Sequence, residues 1–212
     1  MPAVTALVAQ KQRRGRTSVF LDGEFAFGID NRAAVALRVG QELSQEDIAR
    51  LRSRDAVEAA YQRALHYLSF RPRSEEEMTR YLSGKDLPLD AIDEVLARLR
   101  RSGLVDDQQF AAYWVENRVS FRPKGRWALQ RELRGKGISP EIVETAVSEV
   151  DEQEGAMRVG RKALPQVARL EREVFYRRLL GRLQRRGFAY EVSRHVTDTL
   201  WDETHPRCPD LE

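Results

Sequence analysis

The chain has 212 residues, with 36 Lys and Arg against 33 Asp and Glu for a net charge of +3, and one cysteine. So even a balance excludes a polycation whose composition alone announces nucleic acid, and the lone Cys208 excludes an internal disulfide. No apolar run approaches the roughly 18 residues of a membrane span, and Met1 to Gln10 is too short for a signal peptide, so a reducing cytoplasm is the expected compartment.

From Val4 to Ile29 apolar residues alternate with a period of two. Val19 and Leu21 answer Phe25 and Phe27 across Asp22-Gly23, a pair suited to the positive φ angles of a type I′ turn, which predicts a β-hairpin within a small sheet. Lys11 to Arg16 reads as a basic loop between strands. Asp30 is placed to cap a short helix through Leu37, which Gly40 ends. The period changes to 3.6 near Ser44, where Ser44 and Asp47 resemble a capping box, and this switch predicts a separable domain over residues 1–43.

Helical signals then come in threes. In residues 44–104, Val57, Ala60, Tyr61, Ala64, Leu65 and Leu68 mark a first helix; Ser74 followed by three glutamates caps a second; Leu89 to Leu99 form a third that stops at Gly103. In 105–150, Asp106 or Asp107 caps a helix carrying Phe110, Trp114 and Phe121 on one stripe, with Arg118 placed to pair with one of those aspartates. Pro123 separates it from a basic helix starting near Lys124, and Ser139-Pro140 opens the third. In 151–202 the corresponding segments are Met157–Val167, Phe175–Arg186 and Tyr190–Trp201, followed by a frayed tail over 203–212.

The modules are related. Phe70, Arg71, Pro72, Arg80, Leu82, Gly84 and Lys85 recur 51 residues later as Phe121, Arg122, Pro123, Arg131, Leu133, Gly135 and Lys136, with a weaker third copy at Leu179, Leu183, Arg186 and Gly187. A period of this length marks a tandem array of one supersecondary unit. The expected fold is therefore mainly α: tandem three-helix repeats in an elongated curved array, behind a small N-terminal β-hairpin domain.

No catalytic constellation stands out. His66, His195 and His205 lack metal-ligand spacing, and Gly135-Lys-Gly137 reads as a helix stop, not a phosphate loop, so no catalytic residue, metal or cofactor is expected. Charge distribution says more. Residues 105–154 are net acidic and 155–212 net basic, yet Arg118 to Lys136 holds seven cations against Glu132 alone. On a wheel centred at Trp127, Leu129 and Leu133 fall about 200–240° away, leaving Lys124, Arg131 and Arg134 beside the indole. Arg122, Lys124, Arg126, Trp127, Arg131 and Arg134 form one candidate partner-binding stripe; Arg178, Arg182 and Arg185, at i, i+4 and i+7, form another.

The chain resembles the RecX family of regulatory proteins. The resemblance rests on Ala64-Leu65 with Tyr67-Leu68, Arg71-Pro-Arg-Ser74, Gly103-Leu-Val-Asp-Asp107 with Phe110-Ala111, Phe121-Arg-Pro-Lys-Gly-Arg126 and Glu132-Leu-Arg-Gly-Lys-Gly-Ile138, which together cover about residues 60–150. It implies a non-enzymatic, monomeric protein that binds the RecA recombinase nucleoprotein filament in its helical groove. There it would modulate ATP hydrolysis, strand exchange and SOS co-protease activity in DNA repair, with inhibition the expected sense. Single-stranded DNA within the filament is a further candidate contact. A different class of reading, a DNA-binding protein built from helix-turn-helix modules, also suits three-helix units with basic second or third helices.

Overall fold

A computed structural model describes residues 1–11, 15–85 and 87–206. The middle of the Lys11–Arg16 loop, Cys208 and most of the expected tail lie outside the described residues. Two compact units divide at Val105 and Asp106.

The first unit opens with an antiparallel sheet of β1 (Val4–Ala9), β2 (Arg16–Leu21) and β3 (Glu24–Asp30), in that spatial order. Asp22 and Gly23 sit at φ 50° and 90°, so the hairpin turn has the left-handed backbone that Asp-Gly tolerates, and Leu21 faces Glu24 across it. Asp30 caps α1 (Asn31–Ala34) by accepting from the Arg32 N–H. The sheet buries Val4, Val19, Phe27 and Ile29 on one face.

The cover of that face is α2 (Gln45–Leu68), whose start is set by a reciprocal capping box between Ser44 and Asp47. The structure joins what the change of period divides. Ile48 and Leu51, in the first turns of α2, pack with the sheet, while Val57, Ala60, Tyr61 and Ala64 on the same continuous helix build the core of the first module. Asp55 fastens the junction, taking the Arg16 guanidinium at 2.6 Å and the Asp30 backbone N–H at 2.9 Å. The sheet and the first module therefore share one compact unit, Met1–Val105.

That module is completed by α3 (Glu75–Ser83), capped by Ser74, and α4 (Leu89–Arg101). Met78 and Leu82 of α3 and Val95 and Leu99 of α4 are fully buried.

The second unit holds two modules. One consists of α5 (Asp107–Phe121), α6 (Arg126–Arg134) and α7 (Pro140–Ser148); the other of α8 (Glu152–Ala163), a 3-10 turn at Leu164–Gln166, α9 (Arg172–Arg185) and α10 (Tyr190–Thr204). Asp106, not Asp107, caps α5, and Ser139 with Pro140 opens α7. Leu129 and Leu133 are wholly buried, as their wheel phase predicts, and Leu179 and Leu183 are their counterparts in α9. Phe121 departs from the expected stripe: Phe110 is buried, but Phe121 at the end of α5 is 78% exposed. The helix ends there, so its last side chain has no opposing element.

The two modules of this unit lock through backbone N–H groups at the start of α6. The Gly125 N–H donates to the Arg186 carbonyl at 3.0 Å, the Arg126 N–H donates to Glu152 Oε1 at 2.9 Å, and so two orphan donors at the start of α6 are satisfied by the neighbouring module.

Candidate interaction surface

The residues expected to line one cationic stripe are sorted by the fold into three groups. Lys124 leaves the stripe. It lies in the loop before α6, which starts at Arg126, two residues later than the wheel assumed, and its ammonium pairs with Glu132 Oε1. The other oxygen of Glu132 accepts the Trp114 indole N–H and the Arg118 Nε–H, both at 2.9 Å. Arg118 thus pairs with Glu132 and not with the α5 cap aspartates. Burial of the Glu132 carboxyl acts to raise its pKa, but hydrogen bonds from Lys124, Trp114 and Arg118 outweigh it and hold the value below the ordinary carboxylate range. This cluster ties the α5–α6 loop to both helices.

Arg126 is also structural. Its guanidinium donates to the Ser148 carbonyl at 3.1 Å and to the Val150 carbonyl at 2.9 Å, anchoring α6 to the end of α7. Trp127, Arg131 and Arg134 remain on the outer face. Trp127 is 62% exposed, the Arg131 guanidinium lies 5.5 Å from its ring centre, and neither arginine is in an ion pair among the described residues.

Arg122 belongs to a third group that sequence reasoning assembled only in part. A cleft of about 540 Å³ opens between the two modules of the second unit, lined by Arg122, Arg158, Lys162, Arg182 and Arg186 together with Phe121, Pro123, Val159 and Gln166. Among the described residues no carboxylate lines it. None of its five cations is in an ion pair among the described residues: Arg158 donates to the Val119 and Ser120 carbonyls, Arg186 to the Pro123 carbonyl and Arg182 to the Gln166 amide oxygen. Arg182 also lines an adjoining depression with Arg178 and Arg185, so the predicted α9 stripe runs on from the cleft.

Comparison of the repeats explains why Arg122 is available. Its counterpart Arg71 makes a two-pronged pair with Glu77, both contacts 3.0 Å. The position equivalent to Glu77 is Ala128, whose small side chain packs against Gly187 of the third module. Close packing of the modules removes the acid that would neutralise Arg122.

Neither candidate stripe read from the sequence includes Arg158, Lys162, Arg186 or Phe121. The net basic charge of residues 155–212 is legible in the sequence, but which of these cations converge depends on the packing of α8, α9 and the Pro123 turn.

Family models match nearly the whole chain: the RecX N-terminal domain over residues 2–44, and the first, second and third RecX three-helix domains over 60–99, 106–147 and 150–197. Among curated relatives, regulatory protein RecX of Bacillus pumilus (strain SAFR-032) is 35% identical over 95% of this chain and 79% of its own length, and that of Bacillus subtilis (strain 168) is 33% identical over 94% and 78%. A crystal structure of regulatory protein RecX superposes with a TM-score of 0.74 at 27% identity, covering 93% of this chain and all of that one. The RecX structure from Lactobacillus salivarius, at 23% identity and a TM-score of 0.63 over 69% of this chain, shares the fold.

Proposed function

This chain is a member of the RecX family of regulatory proteins, and from that premise we propose that it acts by binding, without catalysis, to the RecA recombinase nucleoprotein filament in its groove. Binding there restrains ATP hydrolysis, strand exchange and co-protease activity in DNA repair and the SOS response. The partner is a polymer that offers the same surface many times, and a tandem array linking several modest contacts gains affinity from each added one.

The observation that carries this reading is the outer face of α6. An indole exposed to solvent beside an arginine, with a second arginine one turn away and no carboxylate paired to either among the described residues, suits a protein interface. The helix keeps its core contacts through Leu129 and Leu133, so the face can be altered without loss of the fold.

The test is inhibition of single-strand-dependent ATP hydrolysis by the recombinase. Arg131→Glu with Arg134→Glu should keep the melting midpoint within a few degrees, since exposed charges each contribute about 0–1 kcal/mol. The concentration needed for inhibition should rise at least about tenfold, a loss of roughly 1.4 kcal/mol. Trp127→Ala should act in the same direction. A folded double variant that inhibits at wild-type concentration refutes the assignment of this face. Capture of the recombinase by the wild-type chain, with and without single-stranded DNA and a nucleotide analogue, tests the partner itself.

A further inference from the structure

We propose that the cleft between the second and third modules is a binding site for a compact polyphosphate, an anion in which two or more phosphoryl groups are joined by anhydride bonds. The occupant is a small molecule and not a polymer. What selects it is charge density.

The cleft gathers Arg122, Arg158, Lys162, Arg182 and Arg186, and among the described residues no carboxylate stands in its wall. Five arginines outside it, Arg16, Arg71, Arg98, Arg100 and Arg118, each pair with a carboxylate. Two of the cleft's cations are held in place without being neutralised. The Arg158 guanidinium donates to the Val119 and Ser120 carbonyls at 3.0 and 2.7 Å, and that of Arg186 donates to the Pro123 carbonyl at 3.3 Å, so each bridges the modules and keeps its full charge. A third, Arg182, is tethered to the Gln166 amide oxygen at 3.0 Å. Donors fixed in this way lose less freedom on binding, and a guanidinium fork matches the oxygens of a phosphate.

Size and charge then decide among anions. The cleft holds about 540 Å³, within the roughly 300–1,000 Å³ of small-molecule sites and equal to a cube about 8 Å on a side. An extended acidic peptide turns every second side chain to one face, about 7 Å apart, so it brings one or two carboxylates into that space. A nucleic acid strand brings one charge with each nucleotide, most of which is sugar and base. A terminal phosphoryl group by itself carries about −1.5 to −2 with three acceptor oxygens, and each phosphoryl group linked to it adds charge at bonded distance. Five cations around one small volume suit the last of these. Phe121 stands at the rim, 78% exposed, with a face on which a nucleobase can stack. Nucleoside and inorganic polyphosphates thus share the cationic part of the site and differ only at the ring.

This inference goes beyond the recombinase reading, and its test contains no recombinase. The full chain is titrated calorimetrically at physiological salt with inorganic tripolyphosphate, adenosine triphosphate and orthophosphate, without divalent cations that would neutralise the phosphates. Tripolyphosphate should bind at one per chain and at least about tenfold more tightly than orthophosphate, because it engages more of the cations at once. The Arg122 and Lys162 side chains are in no hydrogen bond or ion pair among the described residues, so Arg122→Gln with Lys162→Gln should keep the wild-type melt. Its affinity for tripolyphosphate should fall at least about tenfold, two charged partners being lost. If the double variant melts early, Lys162→Gln alone carries the same comparison. Phe121→Ala separates the two sources: a loss of roughly fivefold confined to adenosine triphosphate supports a nucleoside polyphosphate, and no loss with either probe supports an inorganic one.

The proposal is overturned if tripolyphosphate does not bind at physiological salt, or if a folded double variant binds it as the wild type does. Orthophosphate or sulfate binding as tightly as tripolyphosphate also overturns it, leaving an adventitious ion only. So does displacement of tripolyphosphate by oligothymidylate at equal phosphate or by polyglutamate at equal charge, which would assign the cleft to a polymer. None of these outcomes bears on the α6 result with ATP hydrolysis, and failure of that result leaves this site standing.

Discussion

Gly125 and Gly187 face each other backbone to backbone, so close that a Cβ on Gly125 would overlap the Gly187 carbonyl and a Cβ on Gly187 would overlap Ala128. Gly125 has an ordinary negative φ of −72°, so the need for glycine there comes from this approach and not from backbone conformation. Gly125→Ala should therefore force the modules of the second unit apart and cost about 1–3 kcal/mol, as overpacking does. Gly84→Ala is the control: its nearest neighbour would be 3.7 Å away and its φ is −77°. It should be neutral or stabilise by up to about 1 kcal/mol. Thermal melts of both variants check the contrast, and equal effects would show that the close approach is not sustained.

The Glu132 cluster predicts a dependence on acidity with a definite sign. Its carboxyl pKa is held below the ordinary 4.5, so the group contributes stability fully above that value and loses it as pH falls through the lower folded-state value. Glu132→Gln should destabilise the chain by about 1–3 kcal/mol at pH 7, since three charged or polar donors lose an anion. Urea midpoints at pH 7 and pH 3 give the check. The gap between wild type and variant should narrow at pH 3; a gap independent of pH means that Glu132 acts through packing alone.

Removing residues 1–43 strips Ile48 and Leu51 of their apolar partners and leaves Asp55 without Arg16 and the Asp30 N–H. The truncated chain should keep most of its helical circular dichroism, because the first module has its own core around Leu82 and Leu99, but the first unit should melt at a lower temperature. In the full chain Asp55→Ala should cost about 1–3 kcal/mol. In the truncated chain the same substitution should cost almost nothing. An equal cost in both would show that Asp55 serves α2 and not its junction with the sheet.

What the sequence determined by itself is local. The hairpin at Asp22-Gly23, the caps at Ser44, Ser74, Asp106 and Ser139, and the buried phase of Leu129 and Leu133 each follow from a turn geometry, a hydrogen-bonding side chain or a helical period acting within a few residues. The 51-residue period extended that local knowledge from one module to the next. Tertiary structure decided what long-range packing decides. Lys124 was assigned to a free stripe because a wheel assumes helix from its first residue, whereas α6 starts later and Glu132 draws the ammonium inward. α2 serves two cores because a continuous helix carries no mark of where one neighbour ends and the next begins. The cationic cleft exists only because α8, α9 and the Pro123 turn converge, and Arg122 is left unpaired there because Ala128 replaces the acid that its counterpart Arg71 holds. Residues tens of positions apart share a charge environment only once the chain has folded, and no periodicity encodes that.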